Sequence, residues 1–182
     1  MRNALQIFLA VISLMTTSTA IAVEYPYKKA NEFKSLDSFK TIEAFESSYE
    51  KYTKDCLDHT YGGSGGIPCL IGYDIWDREL NISYDRLMKV IEPKSRDLLK
   101  QSQLAWVKER DKSFEFNSLL LDKMYTDSGT MYVLMRASDA DDMATPVVKQ
   151  RALLLKKWLK FATAGKQRGA KGTQAIKFQA NR

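Results

Sequence analysis

Residues 73–91, YDIWDRELNISYDRLMKVI, set Tyr73, Trp76, Leu80, Tyr84, Leu87 and Ile91 at steps of three and four. That spacing lines one side of an α-helix with large apolar groups and leaves the rest to charged residues. Such a helix needs partners for its stripe. Upstream, Phe39, Ile42, Phe45, Tyr49, Tyr52 and Cys56 repeat the pattern, which predicts a helix opening near Ser35, capped by Ser35 or Asp37 and stopping before Gly62-Gly63. Pro68 suits the first turn of the second helix, and Pro93 either ends it or opens the next. A third helix is predicted from about Ser95 to Tyr125, with Leu98, Ala105, Trp106, Phe114 and Leu120 as core contacts. Thr126-Asp127-Ser128-Gly129 breaks it.

Beyond that break the pattern weakens. Met131 to Met135 is apolar without clear period and fits a short helix or a strand, and Ser138 to Asp142 reads as an acidic turn. Thr145-Pro146 forms an N-cap and first-position pair for a last helix carrying Val148, Leu155, Trp158, Leu159 and Ala162 on one side. No second strand pattern exists for a sheet to use. The expectation is an all-α domain, a compact bundle of four to five helices with short loops.

The N-terminus sets the compartment. Arg2, an apolar run from Leu5 to Met15 and the exit Ala20-Ile21-Ala22 have the make-up of a cleavable secretory signal over residues 1–22. Residues 23–164 then form one helical domain, expected in the periplasm. Residues 165–182 carry five basic residues, no acid, three glycines and little apolar surface, and are expected to be a flexible extension. The formal charge of +6 comes from that tail and from Arg2, so the body is near neutral and nucleic acid is not an expected partner.

The two cysteines, Cys56 and Cys69, are expected to pair in an oxidising compartment. Twelve residues lie between them, including Gly62, Gly63, Gly65, Gly66 and Pro68. The spacing matches neither a C-x-x-C redox pair nor a zinc pattern. The bridge would staple a loop between two helices.

Catalytic chemistry has little foothold. His59 is the only histidine, lies three residues from Cys56, and no G-x-S-x-G elbow accompanies it. Asp55 and His59 share a helix face, but two ligands make no metal site. Asp77, Glu79, Glu109 and Asp111 are carboxylates that an acid–base pair would need, and nothing in their spacing sets two of them across a cleft. Asp139, Asp141 and Asp142 lack the glycine and terminal glutamate of a calcium loop and fit a cap for the last helix. The expectation is no enzyme, no metal and no cofactor.

One polar constellation stands out. Asp77, Asn81 and Tyr84 share a side of the second helix, and Gln103, Trp106 and Arg110 share a side of the third. Were these helices antiparallel across Pro93, Tyr84 would approach Gln103, and Asp77 or Asn81 would approach Arg110, making a structural clasp shielded by Trp106.

These residues also carry a resemblance. Asp77-Arg-Glu-Leu80-Asn81 with Tyr84 and Leu87, Gln103-Leu-Ala-Trp106-Val-Lys-Glu-Arg110-Asp111, Gly129-Thr130, and Arg151 four residues before Leu155 resemble the bacterial envelope family named for the lysozyme inhibitor LprI, over roughly residues 56–159. Family members look like small exported helical proteins, and the resemblance implies inhibition of lysozyme-type peptidoglycan hydrolases. The expected partner is thus a protein, either such a hydrolase or a toxin for which the chain serves as immunity protein. The stapled loop Tyr61, Gly62, Gly63, Ser64, Gly65, Gly66 and Ile67 is the candidate inhibitory element, because a glycine-rich tip enters a narrow cleft with little side-chain obstruction. The alternative expectation is a non-catalytic helical envelope interaction or assembly factor.

Overall fold

The computed structural model describes residues 25–60 and 62–180, with side chains to residue 165. The expected leader and Tyr61 lie outside the described residues. Four α-helices, α1 (Ile42–His59), α2 (Gly72–Val90), α3 (Pro93–Met124) and α4 (Thr130–Ala180), are accompanied by 3-10 segments at Ala30–Glu32 and Leu36–Ser38 before α1 and at Gly63–Cys69 between α1 and α2. Strands are absent among the described residues. The all-α expectation is met.

Trp76 organises the core. It is fully buried on α2, meets Phe45 of α1 edge-to-face at 5.2 Å, and donates its indole N–H to the Tyr49 hydroxyl at 3.0 Å. α2 lies along α4, where Val148, Ala152 and Leu155 are buried, and the same core takes in Ile75, Leu80 and Leu87. Burying this many branched and aromatic side chains supplies the main drive for folding, each contributing roughly 1.5–3 kcal/mol.

Four boundaries differ from the sequence expectation. First, α1 opens at Ile42, where the Thr41 side chain accepts the Ala44 N–H at 3.1 Å; Ser35 and Asp37 belong to the separate Leu36–Ser38 turn. Second, Pro68 sits within the 3-10 segment and α2 begins four residues later. Third, residues 131–142 are neither strand nor turn but the first turns of α4. Fourth, Pro146 does not open a helix; it lies inside α4. An internal proline removes one helical hydrogen bond and costs about 3 kcal/mol. Contacts on both sides of it offset that cost: Leu134 faces the glycine segment, and Val148 to Leu155 pack into the core. Helical backbone continues to Ala180, across the segment expected to be a flexible extension.

α3 also departs in phase. Leu98 and Leu120, expected inside, are exposed, as is Ala105, while Leu99 and Leu121 are buried. Trp106 and Phe114 are half-buried as packing partners.

Candidate functional site

The stapled loop is more constrained than its glycines suggest. Cys56 and Cys69 are disulfide-bonded with Cα atoms 5.6 Å apart, and both are fully buried. The Thr53 hydroxyl donates to the Cys69 carbonyl at 3.1 Å, tying the staple back to α1. Gly62 and Gly63 have φ of 78° and 62°, a region that side chains disfavour. A Cβ on Gly63 would come within 2.6 Å of the Thr130 hydroxyl, and one on Gly66 within 2.9 Å of Leu57 and 3.1 Å of Leu134. These two glycines therefore allow close approach to α1 and α4. Of the expected loop residues, Ser64 and Gly65 are exposed, Gly62 and Ile67 half-buried. The Tyr27 hydroxyl donates to the Gly65 carbonyl at 2.8 Å and pins the tip from outside.

The six residues of the expected clasp converge on one groove of about 530 Å³ between α2 and α3. They do not pair as expected. Asn81 donates to Asp77 on its own helix at 2.9 Å, and Arg110 binds neighbouring Asp111 through Nε and one terminal nitrogen at 2.9 and 2.6 Å. Gln103 accepts instead from Arg151 of α4 at 3.0 Å. The reason is α4, which packs along α2 and supplies the Arg151 donor that the Gln103 oxygen accepts. The clasp across α2 and α3 is thus replaced by an α3–α4 tie beside an open groove.

Arg151 is the centre of that tie. It is buried, bonds Gln103 and the Ser102 hydroxyl (3.0 Å), and lies 5.7 Å from the Trp106 ring and 5.4 Å from the Trp158 ring. Arg110 extends the series, 5.4 Å from Trp106 and 5.8 Å from Phe114. Guanidinium groups are weakly hydrated and stack well on aromatic faces; the contact of Arg151 with Trp106 joins α4 to α3, while Arg110 stacks within α3 and Trp158 seats Arg151 on α4. No carboxylate pairs with Arg151 among the described residues, and burial lowers its pKa from the usual value. A sequence signal existed: Arg151 interrupts the stripe of Val148, Ala152 and Leu155.

Sequence reading missed Arg78. Its guanidinium donates to the carbonyls of Ala30, Phe33 (2.7 Å) and Lys34 (3.1 Å) and pairs with buried Glu79 at 2.7 Å. The segment preceding α1 is thereby fastened to α2.

The remaining carboxylates are structural neighbours, not a facing pair. Glu79 is held by Arg78, Asp111 by Arg110, and Glu109 is exposed. His59 contacts the Asp55 carbonyl through Nδ1 at 2.5 Å and stands beside Tyr25. Among the described residues no group of three or more His, Cys, Asp or Glu is placed to hold a metal. The acidic run caps a different helix from the one expected: Asp141 accepts the Tyr73 N–H in the first turn of α2 at 3.0 Å, and Asp139 accepts from the Tyr125 hydroxyl at 2.6 Å.

Burial pushes the Asp141 carboxyl above its ordinary pKa, partly offset by the Tyr73 N–H. The folded state then binds this proton more tightly than the unfolded chain, so stability falls as pH rises through the ordinary carboxylate range to the raised folded value. Asp141→Asn keeps an acceptor for Tyr73 but carries no charge. Its melting temperature is expected to exceed the parent's at pH 7, and the gap should close near about pH 3, where both side chains are neutral. A gap that does not shrink in acid would contradict the assignment.

The fold and its staple define a class: a small all-α domain whose single disulfide anchors a glycine-rich 3-10 segment. Residues 70–150 match the family model described as "Lysozyme inhibitor LprI", in agreement with the resemblance carried by the α2 and α3 motifs. The matched span takes in α2, α3 and the first part of α4, including the whole groove. No curated protein and no solved structure matches the chain.

Proposed function

We propose that the protein is an exported periplasmic binding protein that inhibits a peptidoglycan-degrading enzyme of the lysozyme type, a toxin of that chemistry being one such target. The match of residues 70–150 to the lysozyme-inhibitor model carries this reading. The absence of a membrane-crossing helix among the described residues is compatible with it. The contact element in this proposal is the tip Ser64-Gly65. It is exposed, while its two ends are fixed by the disulfide, by Gly63 and Gly66 against their neighbours, and by the Tyr27 hydrogen bond. A tip held this way loses little conformational entropy on binding.

The test is a lysozyme turbidity assay with purified mature protein, extended to muramidases and amidases that co-purify with it. Inhibition by the parent chain is expected. Ser64→Trp and Ser64→Arg should keep the parent melting temperature, because an exposed tip has few contacts, and should weaken inhibition at least about tenfold by obstructing the cleft (about 1.4 kcal/mol). Full inhibition by both variants would move the contact surface away from the tip. No inhibition of any hydrolase by the parent would favour the envelope assembly factor.

A further inference from the structure

We propose that the groove between α2 and α3 is a binding site for a carboxylate-bearing ligand, distinct from the loop tip and independent of the inhibitor reading. The argument is a balance of donors and acceptors. Arginine only donates, so the bond from Arg151 fixes the Gln103 oxygen toward α4 and leaves the amide NH2 as the free end. Arg110 spends Nε and one terminal nitrogen on Asp111 and keeps the other. Among the described residues, the Trp106 indole N–H and the Tyr84 hydroxyl make no hydrogen bond; each of these four residues lines the groove. Lys100 stands at the same rim. Donors therefore outnumber acceptors, and the nearest buried charge behind them is Arg151, which no acid neutralises.

Solvent-facing donors without a protein partner, backed by a buried cation, favour an anion, and a planar carboxylate suits a guanidinium best. Asp77 and Asn81 form the opposite wall as the acceptor side. The ligand must thus carry an N–H or O–H donor a short distance from its carboxylate. A volume of about 530 Å³ admits a ligand of dipeptide or single-sugar size. That chemistry has two sources in the compartment the leader predicts: a peptide C-terminus and a sugar acid.

The experiment titrates the intact mature domain with N-acetyl-D-alanyl-D-alanine and with N-acetylmuramic acid, reading the 15N–1H indole signal of Trp106. The methyl ester of the N-acetylated dipeptide and N-acetylglucosamine are the uncharged controls. A saturable shift with at least one carboxylate probe and none with its neutral counterpart is expected. Which probe binds identifies the source. Arg110→Gln, which removes the charge and the guanidinium fork but leaves a polar side chain with a terminal NH2, should raise Kd about tenfold or more. Tyr84→Phe should raise it less, and Lys89→Ala, exposed and outside the groove, not at all. Three results would overturn the site: no saturable shift with either acid, equal binding of the neutral controls, or an unchanged Kd in Arg110→Gln. Arg110→Gln in the lysozyme assay keeps the two proposals apart. Retained inhibition together with lost carboxylate binding makes the groove a second site, and failure of one assay leaves the other result standing.

Discussion

Arg78→Ala is expected to lower stability by about 3–5 kcal/mol, the usual cost of stranding one member of a buried ion pair. Glu79 is only 3% exposed and has no cation but Arg78 to pair with among the described residues. The substitution also releases three backbone carbonyls, at Ala30, Phe33 and Lys34, that the guanidinium gathers in one place. Lysine cannot restore this, since an ammonium lacks the planar fork that reaches several acceptors at once. Chemical denaturation should place Arg78→Lys between the parent and Arg78→Ala, since the ammonium still compensates Glu79 but loses the three carbonyls, and the double variant Arg78→Met/Glu79→Gln above Arg78→Ala, because it removes the stranded charge. Arg78→Ala within about 1 kcal/mol of the parent would mean that the pair carries little of the fold. The effect reaches the loop, because the segment fastened by Arg78 also holds Tyr27, whose hydroxyl meets Gly65.

Cys56→Ser with Cys69→Ser should cost about 3 kcal/mol, by the chain-entropy estimate for a ring of this size. The helical circular-dichroism spectrum should persist, because the two cysteines are only one part of the core that α1, α2 and α4 share: Phe45, Trp76 and Leu155 remain. The loop should suffer more than the helices. Without the bridge, the Gly63–Cys69 segment keeps only its packing on Thr130, Leu57 and Leu134 and the bonds from Tyr27 and Thr53. Protein purified without reductant should show no titratable thiol; two thiols would defeat the assignment of a formed and stabilising bridge.

The apolar stripes of α1 and α2 were legible because they face one core. Phe45, Tyr49, Tyr52, Cys56, Trp76, Leu80 and Leu87 are all buried, and a period of 3.6 points them the same way. α3 was legible as a helix but not in phase. Apolar residues occur on several of its sides, so Leu98 and Leu120 look as suitable as Leu99 and Leu121 until α4 is in place. The start of α4 was illegible for another reason: Asp139 and Asp141 look like a turn in isolation, and their partners, Tyr125 and the Tyr73 N–H, come from elsewhere in the chain. The groove residues were identifiable as a set from spacing on two helices. Their hydrogen bonding was not, since it is decided by Arg151, some 50 residues downstream, and by Asp111 next door.

The sparse joint between α3 and α4 gives the molecule two levels of resistance to opening. Of the outer part of α3, only Leu121 is buried, while Phe116, Leu119 and Met124 face solvent, as do Met131 and Met135 across the turn. What holds this hairpin is the Arg136–Asp122 pair, the Tyr125–Asp139 bond and, nearer the core, the stack of Arg151 on Trp106. Such a joint can part locally while α1, α2 and the inner half of α4 stay folded, so amide protons along the hairpin exchange through small, frequent openings and those around Trp76 only through global ones.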